Sequence, residues 1–217
     1  MLGTLKLALK SRHDRRVLQR ELQSLAQQLA HSQQYSFTAD WMSDRTEDWR
    51  QDFAKFAGRP DIRMLEIGSY EGRSAVWFLE NILTHPDSRL VCIDGFFDPR
   101  VEMRFDHNVK LSGAQARLEK RRGRSEAVLP LLERASFDLI YVDGSHDAPA
   151  VLLDAMLGWE LLKPGGILAF DDYEWEPELP PHSRPKLAID LFLNSHAGKY
   201  HVLRQGYQVV IEKKQES

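Results

Sequence analysis

Met64-Leu-Glu-Ile-Gly-Ser-Tyr-Glu-Gly-Arg-Ser74 is the stretch whose reading decides the fold. The apolar run Met64 to Ile67 predicts a buried strand, with an acid, Glu66, near its end. Gly68 and Gly72 frame a turn, and Ala75-Val-Trp-Phe-Leu79 gives the apolar content of a following helix. Strand, glycine turn and helix is how an α/β protein lays a nucleotide-like ligand across the carboxyl ends of its strands. The spacing is Gly-x-x-x-Gly, without the Gly-x-Gly-x-x-Gly of a dinucleotide site. An acid just ahead of the turn would repel a pyrophosphate and suits a cationic ligand better.

Outward from that stretch the strand-helix alternation repeats. Leu90-Val-Cys-Ile93 predicts a second buried strand ending in Asp94. A helix is expected over Phe105 to Leu111, a weakly marked strand over Leu118 to Arg122, and a helix over Ala127 to Glu133. Phe137 to Asp143 is a clear strand, Ala150 to Leu162 an amphipathic helix, and Ile167 to Phe170 a fifth strand ending in Asp171 and Asp172. A Pro-rich loop leads to a helix over Lys186 to Ser195, and Tyr200–Leu203 and Tyr207–Ile211 read as an antiparallel closing pair. The fold class is therefore α/β: a Rossmann-like doubly wound sheet, mostly parallel with an antiparallel edge, plus N-terminal helices.

Residues 1–58 have a different texture, with Leu5, Leu7, Leu9, Val17, Leu18, Leu22, Leu25 and Leu29 at helical spacings among charged and amide side chains. They are expected to form a helical extension, a lid or a homo-oligomer contact, on a ligand-binding domain spanning 59–217. Ser43 or Asp44 is the expected N-cap of a helix there, and Trp41 and Trp49 read as core or cleft wall.

Composition narrows the function. With 217 residues, 42% hydrophobic and 28% charged, the chain can bury one core of ordinary size. A net charge of −3 supplies no global field for nucleic acid or an anionic membrane, so neither is expected as a partner. The single cysteine, Cys92, excludes an intrachain disulfide. The interrupted start, Met1 to Lys10, lacks the form of a signal peptide, and the expected compartment is cytoplasmic.

Ligands of such sheets bind where the strands stop, so the candidates are Glu66 and Gly68, Asp94, Ser125 and Glu126, Asp143, Ser145 and His146, and Asp171 and Asp172. Acids gathered on one rim repel one another unless cations or hydroxyls are supplied there. Asp94 is placed to meet ribose hydroxyls.

Glu66-Ile-Gly-Ser-Tyr-Glu-Gly72, Asp94, Phe137-Asp-Leu-Ile-Tyr-Val-Asp-Gly-Ser-His146 and Leu162-Lys-Pro-Gly-Gly-Ile-Leu-Ala-Phe-Asp-Asp172 resemble class I S-adenosylmethionine-dependent methyltransferases. The likeness is to bacterial small-molecule O-methyltransferases of the macrocin type and, more distantly, to catechol and caffeoyl-CoA O-methyltransferases, over roughly residues 60–212. The resemblance implies that Glu66, Gly68, Ser69 and Gly72 cradle the methionine part of S-adenosylmethionine, with Ser74 and Asp143 also against the cofactor. It implies Asp94 on the ribose and Ser125 and Glu126 beside the adenine.

In metal-dependent relatives three strand-end residues hold a divalent cation, and they match Asp143, Asp171 and Asp172, the last replacing a common Asn. Oxygen ligands of this kind suit Mg²⁺, or Mn²⁺ or Ca²⁺, better than Zn²⁺. The same acids could instead cap helices or orient the cofactor amine. His146 stands three residues after Asp143, where the catechol-type relatives carry a lysine base. An ordinary imidazole is already largely neutral at pH 7, whereas a lysine ammonium is not. A histidine here could serve as base, contact the cofactor or cap the next helix. The implied reaction is methyl transfer to a hydroxyl of a small molecule, a sugar or natural product. Transfer to nitrogen or a macromolecule and a cofactor-binding subunit without catalysis are the competing readings.

Overall fold

The computed structural model describes residues 12–215, so the expected helical positions Leu5, Leu7 and Leu9 lie outside the described residues. Strands β1 (Arg63–Ile67), β2 (Arg89–Asp94), β3 (Leu118–Arg122), β4 (Phe137–Val142), β5 (Leu162–Phe170), β6 (Tyr200–Gln205) and β7 (Val209–Lys213) form one seven-stranded sheet in the order β3-β2-β1-β4-β5-β7-β6. The first five are parallel, and β7 runs antiparallel to both β5 and β6. The helices are α1 (Arg12–His31), α2 (Thr46–Asp52), α3 (Arg73–Asn81), α4 (Pro99–Leu111), α5 (Ser125–Val128), α6 (Ala148–Leu161) and α7 (Pro185–Ser195).

The central parallel strands β1, β2 and β4 are apolar on both faces because both faces are covered, whereas the edge strand β3 is charged and largely exposed. Trp49, Phe53, Phe78, Leu79 and Phe105, from α2 to α4, pack on one face against Met64, Leu90 and Tyr141. Val151, Ala155, Trp159, Ile189 and Phe192, from α6 and α7, pack on the other against Leu65, Ile140 and Leu168. Trp49 and Phe53 have no exposed surface, so the stretch after Met42 is part of the same core as the sheet. Trp41 is 61% exposed and leans on Tyr70.

Four local readings differ from the structure, each for a physical reason. The turn before α2 is capped by Asp40, whose carboxylate accepts from the Met42 and Ser43 amides and the Ser43 hydroxyl; neither Ser43 nor Asp44 is a cap. α4 begins at Pro99, with the Asp98 side chain accepting from the Arg100 amide, the Asp-Pro start of many helices. The helix expected over 127–133 stops at Val128 and tightens into a 3₁₀ turn, Leu129–Leu131, because Pro130 has no N–H for the α-helical bond. β5 begins at Leu162 and reaches Ile167 through a register shift against β4, between Phe137 and Leu139.

Candidate active site

β1, β2 and β4 end together, with Ile67 paired to both Ile93 and Val142. From β1 the chain leaves toward one edge of the sheet and returns at β4 on the other side, so the crevice lies between these two strand ends. Gly68 sits in it at φ +88°, and a Cβ there would fall 2.0 Å from the Asp143 carbonyl oxygen. Its glycine is demanded by that backbone. The amides on either side close the seam, Gly68 N to Ile93 O and Asp143 N to Ile67 O, both at 2.8 Å. Gly72 allows a similar approach, since a Cβ there would meet the Phe105 ring at 2.9 Å.

Two strand-end acids, Glu66 of β1 and Asp94 of β2, brace the turn. Glu66 is fully buried and accepts from Ser74 Oγ at 2.5 Å and Cys92 Sγ at 3.3 Å. Burial raises its carboxyl above the ordinary range, with the Ser69, Ser74 and Cys92 hydrogen bonds pulling the other way. The structure thus places Glu66 beneath the turn, holding the first turn of α3 through Ser74. Asp94 accepts from the Ser69 and Tyr70 amides at 3.1 and 2.9 Å through one oxygen, and from the Phe96 amide at 2.7 Å through the other. Tyr70, Phe96 and Asp172 all take positive φ (45°, 42° and 61°) in the loops of this rim. Non-glycine residues persist in that region where surroundings over-determine them, and such strain gathers at working sites.

On the far side of the crevice the structure brings together Asp143, His146 and Asp172, with one donor atom of each within 4.8 Å of the others. His146 Nε2 lies 2.7 Å from Asp172 Oδ2, and Trp175 stacks on the imidazole at 4.3 Å between centroids. The Tyr207 hydroxyl donates to Asp172 Oδ1 at 2.8 Å, and the Arg45 guanidinium lies over the Tyr207 ring. Burial and that carboxylate push the Tyr207 phenol up, so it remains a donor. Asp171 does not join the group. Its carboxylate takes the Tyr141 hydroxyl and the Asp172 amide, and Gln208 carries the chain on from Tyr141 (3.2 Å) to the Trp49 indole N–H (2.8 Å). Burial and the neighbouring acids raise the Asp143 carboxyl well above the usual range, Asp171 and Asp172 contributing most of the charge. Burial and Asp172 raise Asp171 too.

Ser125 and Glu126 open α5, Glu126 paired to Arg124. With Arg124, Pro149, Leu153 and Asp154 they line a cavity of about 220 Å³ between the starts of α5 and α6. Arg121 and Arg122 pair with Glu119 and Glu102, so the basic cluster is a charge-balanced face.

Several site residues carried no local signal. Glu71, within the glycine turn, accepts from the Thr38 amide at 2.6 Å and hydroxyl at 2.8 Å, and Asn108 donates to the Glu71 carbonyl at 2.9 Å. With Arg73 Nε donating to the Ala39 carbonyl at 3.1 Å, this straps residues 36–40 along the turn. Tyr207, Gln208 and Arg45 come from segments remote in sequence.

The methyltransferase-domain family matches residues 65–173 of this chain. An uncharacterised protein of Acanthamoeba polyphaga mimivirus is 28% identical over 65% of this chain, which covers 64% of that protein's length. Among solved structures, the O-methyltransferase TomG from Streptomyces achromogenes, in complex with S-adenosylmethionine, is 20% identical with a TM-score of 0.64, 82% of each chain being covered. An O-methyltransferase from Bacillus cereus, in complex with S-adenosylhomocysteine, is 16% identical with a TM-score of 0.65, covering 91% of this chain and 90% of its own. At those identities the likeness is one of fold. The S-adenosylhomocysteine-bound Podospora anserina methyltransferase PaMTH1 is 26% identical with a TM-score of 0.53, covering 71% and 72%.

Proposed function

The chain belongs to the methyltransferase-domain family, and from that premise we propose that it is an S-adenosylmethionine-dependent methyltransferase that methylates a hydroxyl group of a small molecule. The observation that carries this reading is the His146–Asp172 pair at the crevice, clamped by Trp175 and Tyr207. The cofactor supplies a methyl group on a cationic sulfonium. An acid-lined rim fits such a ligand, and Gly68, Ser69, Gly72 and Ser74 form the turn beside its methionine and ribose parts, stiffened by Glu66 and Asp94.

The Asp172 carboxylate can only accept, so His146 Nε2 carries the hydrogen between them and Nδ1 keeps a free lone pair. That nitrogen takes the acceptor's proton as the oxygen attacks, and the Asp172 charge stabilises the imidazolium formed. Positioning of this kind and a general base contribute ~10²–10⁴-fold to a rate. Trp175 stacked on the imidazole, with Trp41 and Tyr70 across the rim, offers aromatic walls for a small acceptor. Arg121, Arg122 and Arg124 are each paired with a carboxylate, which weakens the positive field a phosphate backbone would meet.

A second reading is favoured by the convergence of Asp143, His146 and Asp172. Two carboxylates and an imidazole fit a divalent cation, Mg²⁺, Mn²⁺ or Ca²⁺, though the nitrogen shifts the preference from Ca²⁺ and Mg²⁺ toward Mn²⁺. A bound cation would lower the pKa of a coordinated hydroxyl.

The test is calorimetric titration with S-adenosylhomocysteine, then methyl transfer to a panel of hydroxylated acceptors with EDTA or excess Mg²⁺ or Mn²⁺. His146→Gln should bind S-adenosylhomocysteine like wild type while transfer falls at least ~100-fold. Wild-type protein that binds no S-adenosylhomocysteine, or His146→Gln that turns over normally, would contradict the assignment. Transfer lost in EDTA and restored by Mn²⁺ would favour the metal-assisted form.

A further inference from the structure

Arg45 takes no part in the chemistry above, although it stands beside it. It ends a 3₁₀ turn, Ser43–Arg45, just ahead of α2. Its guanidinium carbon lies 4.2 Å from the centroid of the Tyr207 ring, and the Tyr207 hydroxyl donates to Asp172, which holds His146. One aromatic ring thus separates this cation from the base-bearing pair.

The placement is anchored in the core. One helical turn further on, Trp49 is fully buried, and its indole N–H donates to Gln208, the chain neighbour of Tyr207. Arg45 with Tyr207 and Trp49 with Gln208 therefore lock the same two segments together. A cation fixed in advance costs a ligand less ordering when it binds.

Its bonding is incomplete. Nε is buried and has no hydrogen-bond partner among the described residues, a state that folded proteins rarely keep without a reason. Asp44 stands 3.5 Å from Nη2, beyond hydrogen-bond reach, and is itself 69% exposed, so that ion pair is a weak surface one. By contrast, Arg73 donates to the Ala39 carbonyl and to Asp40, and Lys186 to Asp190 and the Tyr173 hydroxyl. A guanidinium with unspent donors matches a carboxylate in charge and in shape. The acids of the rim decide which anion fits and which way round. Asp143, Asp171 and Asp172 repel a phosphate, with its nearly double charge, more than a singly charged carboxylate. An acceptor turned end for end would set its own charge against Asp172 and its hydroxyl away from His146.

We propose that Arg45 binds a carboxylate on the methyl acceptor, so that the substrate is a hydroxylated aromatic acid held with its anion on Arg45 and its hydroxyl toward His146. The proposal rests on the methyltransferase reading above, whose aromatic walls suit a ring as the carrier of both groups.

The experiment is calorimetry at neutral pH on protein saturated with S-adenosylhomocysteine, titrated with benzoate, with its uncharged isostere benzamide, and with phenyl phosphate. Wild type should bind benzoate at least ~10-fold tighter than benzamide, the difference made by one hydrogen bond to a charged group. In Arg45→Gln that preference should vanish while S-adenosylhomocysteine binds as before. Arg45→Lys, which keeps the charge without the planar fork, should fall between the two. A smaller wild-type preference overturns the proposal, and that measurement needs no variant to fold. So does a preference undiminished in Arg45→Gln, which would place the anion elsewhere. Phenyl phosphate bound tighter than benzoate through Arg45 overturns the carboxylate assignment. Wild type that binds no S-adenosylhomocysteine sinks the cofactor reading itself, and this proposal falls with it.

Discussion

Replacing Gly68 by alanine tests the convergence of β1 and β4 on which the whole site depends. The new Cβ would lie 2.0 Å from the Asp143 carbonyl oxygen and 2.5 Å from the Gly144 Cα, both backbone atoms that no side-chain rotation can clear. Two costs add. An L-residue at φ +88° loses ~1–2 kcal/mol to Cβ–backbone crowding. Forcing the strand ends apart costs a further ~1–3 kcal/mol as overpacking. The total of ~2–5 kcal/mol corresponds to a fall in Tm of ~4–20 °C for a chain of this size. Gly113→Ala is the control: its φ is +69° and nothing lies within 4 Å of an added Cβ, so it bears the backbone cost alone. Urea unfolding of the two variants should therefore separate them by ~1–3 kcal/mol, and S-adenosylhomocysteine binding should fail only in Gly68→Ala. Equal stabilities would mean that the Asp143 carbonyl does not abut the turn, and the crevice described above would be wrong.

Asp154 gives a pH signature. Burial puts its folded pKa at about 6, above the ordinary 3.8, so the folded state holds that proton more tightly than the unfolded chain. The stability this confers is present below pH ~4 and lost as pH rises through ~6, up to ~3 kcal/mol. Asp154→Asn should melt higher than wild type at pH 7.5 and no higher at pH 4; a gap independent of pH would contradict the burial argument. Excess Mn²⁺ should raise the Tm of wild type, by ~2.7 kcal/mol of stability at 100 times Kd, and leave Asp143→Asn unmoved if the acids and His146 hold the ion. An equal shift in both proteins would place the ion elsewhere. Trp49→Phe removes the donor to Gln208 as well as volume from the core, and should cost ~1–4 kcal/mol in urea unfolding. A loss under ~0.5 kcal/mol would show that the N-terminal segment does not share the core.

The sequence by itself determined the α/β class, the five parallel strands and the rim where a ligand belongs. These depend on local patterns: Met64–Ile67 and Phe137–Val142 are buried on both faces, so they read as apolar runs, and each stops at an acid or glycine. Local pattern also held some boundaries unread, such as the Asp98–Pro99 start of α4 and the break at Pro130. Which acids meet was decided only by the tertiary structure. Asp171 and Asp172 are adjacent just past the end of β5, and the positive φ of Asp172 (61°) turns the chain there, so one acid meets Tyr141 and the other His146. Partners far apart in the chain, Gly68 with Asp143, Thr38 with Glu71 and Trp49 with Gln208, leave no periodic trace, because nothing local fixes a contact made across the sheet.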